Sequence, residues 1–286
     1  MKTVAIIAKP HAVNIENLLN QIIAILKEHH MELLFDKRAS TILNYERYAE
    51  EEEIMLKADL IIVIGGDGTL LSAVRMLNGK ETPIMGINMG RLGFLTEIKA
   101  EEATSMLSDF LANKGLIEKR MKLTCRLLED KNNVFQSDVL NDIVINKGAL
   151  ARMIDIELFI DGQFVNALRA DGIIFSTPTG STAYNLAAGG PIVYPSLNSI
   201  IITPICPHSL THRPIVIPKD SVINVIIKNN YEHVYLTCDG QVGRRLNSDK
   251  HNDIIITKSN CHVNLVTSPK RHYYSLLREK LRWGEN

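Results

Sequence analysis

The stretch Ile61-Ile62-Val63-Ile64-Gly65-Gly66-Asp67-Gly68-Thr69-Leu70-Leu71 constrains the fold more than any other. Four apolar, mostly β-branched residues run into Gly-Gly-Asp-Gly-Thr, and an apolar helical pattern follows at once. Strands covered on both faces lose their in–out alternation, so the run predicts a buried parallel strand. The glycines allow a sharp turn and the close approach of a ligand. Amides in such a turn, at the start of a helix, suit an anion such as phosphate. Asp67 is unexpected there. It repels a phosphate unless it holds a metal, takes a proton or bonds a sugar hydroxyl. A plain strand-to-helix turn with an aspartate cap accounts for the same letters.

The flanking chain extends this unit. Thr3 to Ala8 reads as a strand, left by Lys9-Pro10-His11. Apolar residues recur at helical spacing from Ile15 to His29. Glu32 to Phe35 is a second strand, residues 37–49 have no clear pattern, and Glu50 to Glu53 open a short acidic helix. After the signature loop come a helix from Thr69 to Leu77 and a strand from Pro83 to Ile87. Alternating strands and helices mean a parallel sheet with helices on its faces. Gly86-Ile87-Asn88-Met89-Gly90-Arg91-Leu92-Gly93-Phe94 is a second glycine-rich turn after a strand. Open α/β sheets bind ligands where loops leave the carboxyl ends of strands, so the two loops are expected to face one crevice. Neither matches a P-loop or a Rossmann fingerprint. A helix from Glu101 to Phe110 closes this α/β domain, residues 1–115.

Near Gly115 the texture changes. Strands are expected over Arg120–Glu129, Val134–Asn146, Arg152–Ile160, Gln163–Leu168, Gly172–Ser176, Val222–Ile227, Val234–Cys238, Asp253–Thr257 and His262–Val266. Asp161-Gly162 is a strong hairpin signal, and Asp130-Lys131-Asn132-Asn133 and Asp239-Gly240 are turns. Residues 116–267 therefore form a β-rich second domain, and a terminal helix from Tyr274 to Trp283 returns to the first.

Charge excludes some partners. Lys plus Arg and Asp plus Glu number 32 each, so no global field favours nucleic acid or an anionic membrane. The four cysteines lie far apart without a Cys-x-x-Cys, which fits a reducing, cytoplasmic setting better than a zinc site or a disulfide framework. No stretch approaches the roughly 20 apolar residues of a membrane span.

Two places break the strand rhythm. Asn141 and Asp142 sit side by side within an apolar strand, where they are at an edge, paired, or lining a ligand site. Arg169-Ala170-Asp171-Gly172 precedes Ser176-Thr177-Pro178-Thr179-Gly180-Ser181-Thr182-Ala183-Tyr184-Asn185-Leu186-Ala187-Ala188-Gly189-Gly190, a strand, a hydroxyl-rich turn and a small-residue helix. That mix suits a polar planar ligand such as a nucleotide. Ser181 lies outside Gly-x-Ser-x-Gly, which argues against acyl transfer. His208 and His212 read as loop residues, and Lys270-Arg271-His272 as the start of a solvated basic end.

Taken together these stretches resemble the NAD kinase family almost end to end. Gly65-Gly66-Asp67-Gly68-Thr69 matches its signature loop, and Asn141-Asp142 its Asn-acid pair. Thr177-Pro178-Thr179-Gly180-Ser181-Thr182-Ala183-Tyr184, Arg213-Pro214-Ile215-Val216 and Asp239-Gly240-Gln241 fit its other motifs. The glycine loop alone is shared with diacylglycerol- and sphingosine-kinase-like proteins; the combination is specific. The resemblance implies an α/β domain followed by a β-sandwich-like domain, and ATP-dependent phosphorylation of NAD at its adenosine-ribose 2′-hydroxyl. It implies a divalent cation (Mg²⁺ or Mn²⁺) with ATP, and a homotetramer or homodimer. By the same resemblance Asp67 is the general base. Gly65, Gly66, Gly68 and Thr69 form the phosphate loop. Asp67, Gly68, Asn141, Asp142, Arg152, Arg169, Asp171, Thr182, Ala183, Tyr184, Asn185, Leu186, Ala187 and Gln241 contact NAD. Many members carry Glu where this chain has Asp142. A lipid kinase of the same superfamily and a non-catalytic NAD(P)-binding sensor are the alternatives.

Overall fold

The apolar run that opens the signature loop is a strand, Leu60–Ile64, with every residue buried. It belongs to a computed structural model that describes residues 1–9, 14–90, 92–149, 151–228, 233–268 and 272–284. Pro10, His11, Arg91, Lys270 and Arg271 lie outside the described residues. The chain divides into two units, Met1–Lys119 with Val263–Asn286, and Arg120–His262.

Among the described residues of the first unit, β1 (Thr3–Ala8), β2 (Glu32–Phe35), β3 (Leu60–Ile64), β4 (Ile84–Asn88) and the short β5 (Ile98–Lys99) pair in parallel. β1 pairs with β2 on one side and with β3 on the other, and β4 follows β3. The chain order thus reverses at β1, and the crevice beyond the carboxyl ends of β1 and β3 is the switch point of an open α/β sheet. The helices are α1 (Ile15–Glu28), α2 (Lys37–Ile42), α3 (Glu51–Lys57), α4 (Asp67–Met76) and α5 (Ala103–Leu111). α1 buries Ile15, Leu18, Leu19, Ile22, Ile23 and Leu26, a single 3.6-period face. They pack with Val4, Ile6, Ile62 and Ile64 from the sheet.

Two expectations change here. Residues 37–42 are helical although six residues carry no readable period. The Asp36 side chain caps that helix by accepting from the Ala39 amide at 2.8 Å. α4 begins at Asp67, two residues earlier than the apolar periodicity predicts, with Gly66 as N-cap. Asp67 therefore sits in the first helical turn and is not the cap.

The second unit is built from antiparallel strands. They are β6 (Leu116–Glu129), which starts just before the boundary, β7 (Asn132–Val139), β8 (Asp142–Lys147), β9 (Ile154–Ile160), β10 (Gln163–Ala170) and β11 (Gly172–Ser176). After the one-turn α6 (Tyr184–Ala187) come β12 (Ser199–Ile205), β13 (Ile215–Pro218), β14 (Ile223–Lys228), β15 (Val234–Cys238), β16 (Val242–Arg245) and the long β17 (Asn252–Thr267). One sheet runs β13-β12-β11-β8-β15-β16. Opposite it, β10, β9, β14 and the first half of β17 pair in that order. A single apolar cluster takes Ile143, Ile145, Ile173 and Phe175 from the first sheet and Ile156, Leu158, Val225 and Ile254 from the second, so the unit is a sandwich. Left-handed Asp161 (φ 52°) and Gly162 (φ 77°) close the β9–β10 hairpin as the sequence signal requires.

Here too the structure corrects the sequence reading. The strand expected over residues 134–146 is two, interrupted at Leu140-Asn141, and the strands expected over 253–257 and 262–266 are one. β12, β13 and β16 escaped notice. In the first unit, the end of β17 pairs with β4 (Leu265 opposite Ile84), and the chain closes with α7 (Tyr273–Leu281). No helix among the described residues is long and apolar enough to cross a membrane. Leu19 is fully enclosed. Leu19→Ala is therefore expected to destabilise the protein by about 2–5 kcal/mol, measured from urea unfolding curves.

Candidate functional site

In the first unit the signature loop leaves β3 at the sheet's switch point. Gly65 donates its amide to Ile87 O at 2.8 Å, and a Cβ at Gly65 would stand 2.7 Å from Thr69 Oγ1. That glycine is demanded by the fold. Gly66 and Gly68 are different: a Cβ on either would meet nothing within 4 Å. Gly66 also has an ordinary negative φ of −99°. Packing within the protein gives no reason for glycine at these two positions at the head of α4. Close approach of a ligand does.

Asp67 is held by the second glycine-rich loop. Its Oδ1 accepts from Leu95 N (3.1 Å), Thr96 N (3.0 Å) and Thr96 Oγ1 (3.0 Å), and its Oδ2 from Phe94 N (2.9 Å). An ionised carboxylate has about four lone-pair sites, so this cradle suits the anion. Gly93 makes the approach possible, since a Cβ there would lie 1.9 Å from Asp67 Oδ1. Behind the cradle, Asn88 Nδ2 donates to Thr96 Oγ1 at 2.9 Å, and Asn88 Oδ1 accepts from Gly90 N at 2.7 Å. Lys280 on α7 donates to Leu92 O at 2.5 Å and lies 5.5 Å from the Phe94 ring centre. The terminal helix thus braces the loop that grips Asp67.

In the second unit, a bend at Leu140-Asn141 separates β7 from β8. Asp239, at left-handed φ (50°) before Gly240, turns its carboxylate to that bend. Oδ2 accepts from Leu140 N (2.9 Å), and Oδ1 from Asn141 N (2.7 Å) and Asp142 N (3.1 Å). The hydroxyl-rich turn closes on the bend from β11. Thr177 Oγ1 donates to Leu140 O at 2.6 Å, and Thr177 N donates to Asn141 O at 2.9 Å. A Cβ at Gly180 would be 2.1 Å from Asn141 O, so the turn packs backbone to backbone on the bend. The Tyr184 amide bonds the Asp142 carboxylate. Burial first, then the charge of Asp239, pushes the buried Asp142 carboxyl up to about 7, against that amide. Burial also raises Asp239, opposed by the three amides and by Lys122.

The structure thus brings together Asn141, Asp142, Thr182, Ala183 and Tyr184, with Gln241 two residues beyond Asp239. It separates Arg169 and Asp171 from them. Gly172 pairs with Asn146 and Ser176 with Asp142, so Asp171 lies just beyond the other end of β11, about 17 Å away at the rise of a strand. There Asp171 faces Lys147 (3.6 Å) and Arg169 faces Asp155 (3.9 Å). Asn185 is fully buried, its amide nitrogen bonded to Ser181 O and Pro191 O and its oxygen to Thr203 Oγ1. Its side chain is committed to the fold, and what it lends a ligand is the shape of the turn. Ser181 is likewise spent on Pro178 O and Val193. Leu186 and Ala187 complete α6, with Ala187 exposed.

Sequence reasoning missed Asp239, Thr96 and Thr179. Asp-Gly in a hairpin satisfies turn chemistry, which hides a second use of the carboxylate. Thr96 lies outside the glycine pattern that marks its loop. Thr179 Oγ1 is buried without a hydrogen-bond partner among the described residues, a signal visible only in three dimensions.

Comparison with known proteins points to one family. Residues 4–115 match the family model of the ATP-NAD kinase N-terminal domain, and residues 140–268 that of the ATP-NAD kinase C-terminal domain. The NAD kinase of Trichlorobacter lovleyi is 44% identical over 286 residues, all of both chains. That of Solibacter usitatus is 41% identical over 285 residues, 100% of this chain and 99% of its own. Among solved structures, yeast NADH kinase complexed with NADH aligns with a TM-score of 0.90 at 27% identity, over 100% of this chain and 89% of that one. An NAD kinase from Archaeoglobus fulgidus in complex with ATP aligns at 0.79 and 28%, over 99% and 100%.

The raised Asp142 carboxyl carries a stability consequence. Its folded value of about 7 exceeds the unfolded one of about 3.9. The stability it contributes is therefore complete below the unfolded value and is lost as pH rises through 7. Asp142→Asn, which cannot ionise, is expected to melt above the wild type at pH 8, with the gap closing toward pH 5. Thermal melts across that range measure it.

Proposed function

The chain belongs to the ATP-NAD kinase family, and on that premise we propose how its residues divide the reaction. The reaction itself is the transfer of the ATP γ-phosphate to the 2′-hydroxyl of the adenosine ribose of NAD, giving NADP.

Phosphoryl transfer needs in-line positioning and charge stabilisation more than covalent help. A ribose hydroxyl is a poor nucleophile until its proton leaves. Asp67 is proposed to take that proton as the new O–P bond forms. The observation that carries this role is the unequal loading of its oxygens, three donors on Oδ1 and one on Oδ2. Oδ2 is the atom with capacity for a further hydroxyl, and the cradle fixes where it points. General-base help of this kind is worth roughly 10²–10⁴-fold.

The ATP phosphates are proposed to lie against Gly65, Gly66, Gly68 and Thr69, over the open Cβ positions of Gly66 and Gly68 and toward the positive end of α4. Among the described residues no group of three or more His, Cys, Asp or Glu could hold a metal ion. A Mg²⁺ or Mn²⁺ is proposed to accompany the ATP. The cation would neutralise phosphate charge that Asp67 otherwise repels.

NAD is proposed to bind through Asn141, Asp142, Thr182 to Ala187 and Gln241, with the unpartnered Thr179 hydroxyl as a further contact. Arg152, Arg169 and Asp171 are assigned to the acceptor on the resemblance alone. A cytoplasmic homo-oligomer, tetramer or dimer, completes the proposal. A lipid kinase would need an apolar acceptor pocket, whereas the residues proposed for the acceptor here include the polar Asn141, Asp142, Thr182 and Gln241. A non-catalytic sensor would have no use for the four-donor cradle around Asp67.

Purified protein with NAD and Mg-ATP is expected to form NADP in a coupled dehydrogenase assay; no product with either Mg²⁺ or Mn²⁺ would refute the reading. Asp67→Asn is expected to lower kcat by about 10²–10⁴-fold, while calorimetry shows NAD still bound. If turnover stays near wild type, Asp67 is not the base. Gly93→Ala should lose turnover to a similar extent with Asp67 intact, because the added methyl takes the place of Oδ1. Steady-state kinetics on both variants compare the two losses.

A further inference from the structure

Two of the three consecutive amides gathered by Asp239, those of Leu140 and Asn141, lie between strands and have no ladder partner to fall back on; the third, of Asp142, opens β8. The clasp is reciprocal: Asp239 N donates to Asp142 O at 2.9 Å while the Asp239 carboxylate accepts from Asp142 N. Behind it stands Lys122, a buried lysine whose ammonium pairs with Asp138 Oδ2 at 3.0 Å and stabilises the charge on Asp239. Asp138 is in turn held by Thr124 Oγ1 (2.6 Å) and Ser259 Oγ (2.8 Å). A polar chain therefore runs from inside the second unit to the back of the bend that carries Asn141 and Asp142.

We propose that Asp239, supported by Lys122, is a positioning residue for the dinucleotide: its carboxylate holds the Leu140–Asp142 bend in the shape that presents Asn141 and Asp142 to NAD. This inference rests on the reading of that bend as part of the acceptor site. Asp239 does not touch the ligand in this scheme; it acts through backbone amides.

A second consequence concerns protons. Two carboxylates this close in a buried place do not both ionise freely. Asp239 already serves three amides in its ionised form, so the shared proton resides on Asp142. The groups around the pair are Cys238 on β15, Ser176 opposite Asp142 on β11, Tyr184 on α6, Asp138 on β7 and Lys122 on β6. Of these, Lys122 favours ionised Asp239, and Asp239 in turn disfavours ionised Asp142. The affinity for NAD should then change across neutral pH, and the position of that change should depend on Asp239.

The test is calorimetric titration of NAD, without ATP, into the full chain from pH 5.5 to 8.5, with hydrogen exchange read over residues 139–143. For the wild type we expect a break in affinity near pH 7 and slow exchange at Leu140, Asn141 and Asp142. Asp239→Asn is expected to weaken NAD by about tenfold to a hundredfold, the cost of hydrogen bonds lost to a charged acceptor. It should also move the break to lower pH and speed exchange in the bend, while β12 amides keep their protection. Asp142→Asn should remove the break altogether. A merely structural defect would weaken binding at every pH and leave the break in place. Should Asp239→Asn not fold, Lys122→Met keeps the acceptor oxygens and removes the charge behind them; faster exchange in the bend and weaker NAD binding are expected. Wild-type affinity, break and exchange in the Asp239 variant, or unchanged exchange in Lys122→Met where that variant is needed, overturn the inference while the acceptor site stands. Failure of NAD to bind the wild type brings down the acceptor reading itself.

Discussion

Aspartates that gather successive backbone amides hold each candidate loop in place. Asp67 takes the amides of residues 94, 95 and 96, and Asp239 those of residues 140, 141 and 142. Elsewhere Asp59 takes the amides of Lys2 and Thr3, and Asp36 those of Ala8 and Ala39. Loops have no strand or helix partner to satisfy their donors, and a buried N–H without one costs about 1–3 kcal/mol. A charged acceptor makes bonds roughly twice as strong as a neutral one. One carboxylate can therefore hold three residues of irregular chain where a ladder is unavailable. Removing it releases all three donors together.

The same residue type does opposite work according to what surrounds it. Asp67 accepts from four donors of the Phe94–Thr96 loop, which fix where its oxygens point. Asp142 meets burial, one amide and the charge of Asp239, and it keeps its proton until about pH 7. Neither difference is a property of aspartate. Each is set by which backbone amides are within reach, and so by the loops that supply them. Rigidity follows as well: Asn88 and Lys280 brace one loop, and Lys122 and Thr177 the other, so each carboxylate is fixed within its own unit.

Much of this was legible in the chain itself. The Ile61–Ile64 run, the α1 periodicity and the Asp161-Gly162 hairpin each follow from local rules that tertiary contacts do not override. The glycine loop, the Asn-acid pair and the Thr-Pro-Thr-Gly-Ser-Thr turn marked the regions to which the chemistry is proposed to belong. What escaped were short or locally ambiguous elements: α2, set by a cap rather than a period, and β12, β13 and β16, whose flanks lack clean alternation. That the Asn185 side chain is buried and fully bonded was also illegible, because an exposed and a satisfied asparagine look alike in one dimension.

From the sequence alone came the alternation of strands and helices, the change to β-rich chain after Gly115, and the residue types able to handle phosphate and ribose. These depend on periodicity and on backbone freedom, which are written locally. Only the tertiary structure decided which donors meet which acceptors. It set the Phe94–Thr96 amides on Asp67 and the Leu140–Asp142 amides on Asp239, buried Asp142 beside Asp239 so that its carboxyl is raised, and moved Arg169 and Asp171 to the far end of β11. Partners 27 or 97 residues apart meet only when the chain is folded. Burial, which sets the cost of leaving them unpaired, exists only in the folded state.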